Sequence, residues 1–147
     1  MTALLGMSSV SYAITARPSV AAQRVLMVLN GYARVTDGDT LVIDERRVRL
    51  FGIDAPELKH PYGAEAKAAM EALCQGQMIQ AQALSVDRYD RLVARCVLPD
   101  GRDLAAELVK RDLALDWSKY SGGAYARYEN VGVRDKLHRT HMRQRPR

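Results

Sequence analysis

Between Tyr32 and Ile53 the chain reads YARVTDGDTLVIDERRVRLFGI, a run in which β-branched and polar residues alternate and turn chemistry interrupts twice. Strict alternation places one set of side chains on each face of a strand, so the run reads as a sheet with one buried face. Asp37-Gly38 is the first break and Asp44-Glu45-Arg46 the second, which makes a three-stranded meander with short turns. Just before it, RVLMVLN (Arg24 to Asn30) is apolar and β-prone and reads as a strand.

The rest of the pattern closes the choice of architecture. Asp54-Ala55-Pro56-Glu57 stops the strand, because Pro56 has no N–H for a ladder. GAEAKAAMEALC, from Gly63 to Cys74, is rich in strong helix formers, carries Ala66, Ala69, Met70 and Leu73 at helical spacing, and ends at Gln75-Gly76. Met78 to Val86 and Leu92 to Leu98 read as further strands, joined by the polar loop Asp87 to Arg91. A second helix follows from about Asp103 to Arg111, and a poorly patterned third from about Val131 to Met142. The order βββ-α-ββ-α has no room for parallel crossovers. It points to an α+β chain with a mainly β core, a small closed barrel with two to three helices packed outside it.

At 147 residues there is space for one such domain. Its organisation reads as residues 1–22, a domain over 23–128, and a basic helix or tail over 129–147. The first 22 residues, small and apolar but with no basic residue before Arg17, suit either a leader for export or an extension of a cytoplasmic protein. The net charge of +5 resides entirely between Arg127 and Arg147, where seven basic residues face two acidic ones. A basic arm of this kind is either a solvated end or a nonspecific grip on phosphates. No apolar run reaches the length of a membrane span. Cys74 and Cys96 fit no metal-ligand spacing and are either one disulfide or two buried thiols; His60, His138 and His141 are too scattered for a zinc site.

Strand parity isolates the chemistry. Asp39 shares a face with Leu41 and Ile43, and Asp54 shares one with Val48 and Leu50. The apolar members must face the barrel interior, so both carboxylates lie on that side, at the adjacent ends of an antiparallel pair. Two acids at an apolar rim repel each other and lose hydration, a conflict that a hard divalent cation resolves; oxygen ligands favour calcium or magnesium. Arg49 lies on the opposite parity to Leu50, and Arg91 ends DRYDR. Guanidinium forks match the charge that gathers on a phosphodiester under attack, and Glu57 is placed to act on a water. Each motif alone is also what a plain turn or a surface arginine looks like.

VTDGDTLVI, RVRLFGIDAPELKHPYGAEA, DRYDRLVA and GRDLAAELVKRDLA together resemble, in order and near spacing, segments of the staphylococcal nuclease (thermonuclease) family, over about Tyr32 to Tyr120. The resemblance implies a five-stranded OB-fold barrel and a monomeric, calcium-dependent endonuclease that cuts DNA and/or RNA at the bond to the 5′ oxygen, leaving 3′-phosphates. It implies that Asp39, Asp54 and the backbone carbonyl of Ala55 bind Ca2+, and that Thr40 places a hydroxyl beside the metal and its water. By the same token Glu57 is the general base, and Arg49 and Arg91 stabilise the transition state. The resemblance also implies that Arg88 and Tyr89 hold a terminal phosphate and that Tyr120 lines the base pocket. Two departures stand out: Asp90 replaces the glycine before the phosphate-binding arginine, and HRTHMRQRPR replaces the usual end of the last helix. A catalytically weak OB-fold module that binds nucleic acid or protein is the other reading; such modules typically lose the acids that this chain keeps.

Overall fold

The computed structural model describes residues 23–138. The sequence expectations for residues 1–22 and for the chain beyond His138 lie outside them.

β1 (Met27–Asp37), β2 (Thr40–Ile43) and β3 (Arg46–Leu50) form the meander, and β5 (Met78–Val86) and β6 (Leu92–Val97) complete a closed barrel in the order β1-β2-β3-β6-β5. Alternation does the work in each strand. Leu41 and Ile43, Val48 and Leu50, Ile79, Ala81 and Ala83, and Leu92, Ala94 and Cys96 all point inward and are buried. Each fully buried Leu, Ile or Val contributes about 2 kcal/mol through the hydrophobic effect.

Three features differ from the sequence reading. The run before Tyr32 and the first strand of the meander are one strand: β1 continues through Asn30-Gly31 and pairs with β5 along its first half and with β2 along its second. The barrel is mixed, because β3 and β6 run parallel, in the register Val48↔Leu92, Arg49↔Val93, Leu50↔Ala94. The crossover between them is supplied by α1 and β5. Finally, Asp54 does not close β3. The strand breaks at Phe51-Gly52, with Gly52 at φ 78°, a left-handed conformation that glycine adopts without strain. Asp54 then belongs to the two-residue β4 (Ile53–Asp54), which pairs with β7 (Leu115–Asp116).

α1 spans Gly63–Cys74, as its composition predicts, and buries Ala66, Met70 and Cys74 at intervals of four residues. Its first residue touches the site directly. A Cβ at Gly63 would lie 1.9 Å from the carbonyl oxygen of Glu57, so only glycine lets the helix start there. α2 (Leu104–Lys110) is capped by Asp103, whose carboxylate accepts from the N–H of Ala105 at 2.9 Å and also from Tyr125 Oη at 2.9 Å. The single-turn α3 (Ser118–Ser121), a 3₁₀ turn (Ala126–Tyr128) and α4 (Val133–His138) follow. Among the described residues no helix is long and apolar enough to cross a membrane. Cys74 and Cys96 are free and buried, which selects the buried-thiol alternative, and burial pushes the Cys74 thiol up to about 11.

Candidate active site

Arg49 organises the rim of the barrel. It is only 6% exposed, and its guanidinium is held by two backbone carbonyls and flanked by two carboxylates. Nη1 donates to the Leu50 carbonyl at 3.2 Å and pairs with Asp39 Oδ2 at 3.1 Å. Nη2 donates to the Ile53 carbonyl at 3.0 Å and lies 4.0 Å from Asp54 Oδ1. The two carboxylates therefore share one guanidinium, with Asp39 on the turn before β2 and Asp54 on β4 rather than at the end of β3. Asp39 is held from two further sides: Thr40 Oγ1 donates to Oδ1 at 3.1 Å and the Ala55 N–H to Oδ2 at 3.1 Å.

Charge decides what this cluster can accept. Asp39 and Asp54 are 6% and 1% exposed, and both flank one guanidinium, so two carboxylates are held together at the buried rim. All its donors are oxygens, which suits a hard cation. Among the described residues no three His, Cys, Asp or Glu side chains gather to hold a metal. An ion here would take two carboxylates, the neighbouring Ala55 carbonyl, and further oxygens from water or substrate; the donor set fits calcium on those terms.

A cleft of about 960 Å³ opens beside this cluster, lined among others by Arg49, Glu57, Arg88, Tyr89, Arg91 and Tyr120. The parallel register explains the meeting, since Arg49 pairs with Val93, two residues after Arg91. On the far wall Asp87 shapes the loop. Its Oδ1 accepts from the N–H groups of Tyr89 at 2.9 Å and Arg91 at 3.0 Å, and its Oδ2 pairs with Arg91 Nε at 2.8 Å. Partial burial raises the Asp87 pKa, but the hydrogen bonds from Arg91 and Tyr89 outweigh it and hold the carboxyl below the ordinary value. Asp90 adopts φ 60°, which explains why glycine suits this position; its exposed carboxyl leaves Arg91 to Asp87. Arg88 and Arg91 both lie over the Tyr89 ring, at 4.9 and 5.3 Å, and Arg88 Nη2 donates to Tyr89 Oη at 2.8 Å.

The family described as staphylococcal nuclease homologue matches residues 47–139. The chain belongs to the staphylococcal nuclease family. It is 36% identical over 92 residues to an uncharacterized endonuclease of Escherichia coli O157:H7, a match covering 60% of each protein. It is 35% identical over 92 residues to a probable staphylococcal-like nuclease of Oryza sativa subsp. japonica, covering 61% of this chain and 28% of that one. A succinoglycan biosynthesis protein of Rhizobium meliloti strain 1021 is 33% identical over 107 residues, covering 65% and 56%. The chain thus spans less than two thirds of the length of each of these relatives.

Within this family member the structure gathers every residue singled out from the sequence at one end of the barrel: Asp39, Thr40, Arg49, Asp54 and Ala55 buried at the rim, the others around the cleft. It adds Arg47 and Trp117 to the lining. Arg47 was legible in principle, since it shares the parity of Arg49. Trp117 was not, because it enters on the β4–β7 pair; its N–H donates to the Gly52 carbonyl at 2.8 Å, and its ring meets Tyr120 edge-on at 4.9 Å. The described part of the basic tail is engaged elsewhere. Arg134 pairs with Glu129 at 2.7 Å, Arg127 lies over Tyr128 and Lys136 over Tyr62.

Proposed function

We propose that the protein is a calcium-dependent endonuclease that hydrolyses phosphodiester bonds of DNA and/or RNA and leaves 3′-phosphate products. One observation carries the reading: a buried pair of carboxylates, Asp39 and Asp54, shares its guanidinium, Arg49, with a cleft that also presents Glu57 and Arg91. Asp39, Asp54 and the Ala55 carbonyl would hold the calcium ion, which when bound supplies Lewis-acid stabilisation of a phosphate oxygen. Thr40 fixes the Asp39 carboxylate through Oδ1. Glu57 takes the proton of a water as its oxygen bonds to phosphorus; the bond to the 5′ oxygen breaks, and that oxygen is protonated from solvent. Arg49 and Arg91 bind the equatorial oxygens, where charge increases during the reaction. Arg88 and Tyr89 anchor a neighbouring phosphate, and Tyr120 offers a face to a base.

The test is release of acid-soluble product from denatured DNA and from RNA in calcium, in magnesium, and in a calcium chelator. Cleavage in calcium, absent with chelator and reduced about a thousandfold by Glu57→Gln, is the expected result. Wild-type rates in Glu57→Gln would remove Glu57 from the mechanism. Binding of single-stranded DNA with no cleavage in calcium would make the chain a binding module.

A further inference from the structure

Four arginines line the cleft, and they are held in two different ways. Arg49 and Arg91 are paired with carboxylates, those of Asp39 and Asp87. Arg88 and Arg47 instead donate to neutral oxygens of a single residue, Tyr89: Arg88 to the phenol hydroxyl and Arg47, through Nη2, to the backbone carbonyl. A neutral acceptor orients a guanidinium without cancelling its charge, and one carbonyl engages one of its five N–H donors. Arg47 is exposed, whereas Arg49 is buried.

Position adds the ligand. Arg47 and Arg49 stand two residues apart on the same face of β3, about 6.6 Å along the strand. That is the reach of roughly one nucleotide of an extended single strand. A polynucleotide whose scissile phosphate sits on Arg49 brings its neighbouring phosphate to Arg47, beside the Tyr89 carbonyl. We propose that Arg47 is the anchor of an additional backbone subsite, taking the phosphodiester one nucleotide from the bond being cut. The role is not among those carried over from the family, and it rests on the phosphodiester reading above. It makes the cleft a reader of strand length, favouring polynucleotides over dinucleotides.

Two measurements test it. In steady-state kinetics on a dinucleotide with one phosphodiester and on a ten-nucleotide single strand, Arg47→Gln should raise KM for the longer substrate about tenfold more than for the shorter. Arg47→Lys should recover part of the loss. An equal loss on both substrates would mean that Arg47 only straps the loop at Tyr89, and no loss on either would remove it altogether; both overturn the subsite. The second measurement needs no turnover. In the Glu57→Gln protein with chelator present, adding Arg47→Gln should weaken binding of a labelled ten-nucleotide strand about tenfold and lower the logarithmic salt slope by about 0.7. Binding and slope that stay unchanged overturn the subsite even if the wild type cuts nothing, and a changed slope supports it even then, so the two readings fail separately.

Discussion

The two walls of the cleft hold their arginines by opposite means. At the barrel rim Arg49 is buried, and its partners come from the turn between β1 and β2, from β3 and from β4, so the fold itself fixes it. On the 87–91 loop, Arg91 is fixed by Asp87, four residues away, in a segment that is mostly exposed. One wall is part of the core and the other is a self-contained turn. Position on the first is inseparable from stability, while position on the second is set locally.

That contrast is most sharply broken by removing each arginine in turn. Arg49→Met strands the Asp39 and Asp54 carboxylates in the interior and should cost about 3 kcal/mol in urea unfolding without calcium. Arg91→Met should cost less than about 1 kcal/mol, because Asp87 keeps access to water. Comparable losses would show that the loop is as integral as the rim. A smaller effect follows from pH. The folded-state pKa of Asp87 lies below its ordinary value of 3.8, so its contribution is complete above that value and disappears as pH falls through the folded pKa. The stability gap between wild type and Asp87→Asn should therefore be full at pH 7 and shrink steadily below about pH 4; a gap constant down to pH 2 would mean that the carboxyl's charge is irrelevant. The smallest effect concerns the loop's own geometry. Asp90→Gly, which suits φ 60°, should raise stability by about 0.5 kcal/mol in the same urea experiment, and a loss would show that the Asp90 side chain holds the turn.

The parts of the fold legible in the sequence were those governed by local pattern. α1 begins and ends where composition and the Gln75-Gly76 stop place it, and β5 coincides with its apolar run. Parity sorted the buried from the exposed side chains within β2 and β3, but Asp39 and Asp54 lie outside both strands, and it is Arg49 that both of them flank. What was not legible depended on distant partners. Gly52 read as one more residue of a strand, and only the pairing of Ile53 with Asp116 explains why the strand ends before it. The parallel contact of β3 with β6 has no signature within either segment. Trp117 lay in a stretch without periodicity and is placed by that same β4–β7 pair. For Arg47 the parity was visible, but its hydrogen bond to the Tyr89 carbonyl was not.

The parallel seam between β3 and β6 has a consequence for how the proposed site is assembled. The residues proposed to bind metal and activate water come from the first half of the chain, and the loop that carries Arg91 from the second; three paired positions, beginning with Val48 and Leu92, join them. That seam joins segments separated by all of α1 and β5, so it is a long-range contact that only both halves of the chain together can make. Either half alone carries only some of the residues of the proposed site. The proposed cleft is thus a joint product of both halves of the barrel, complete only where this seam is closed.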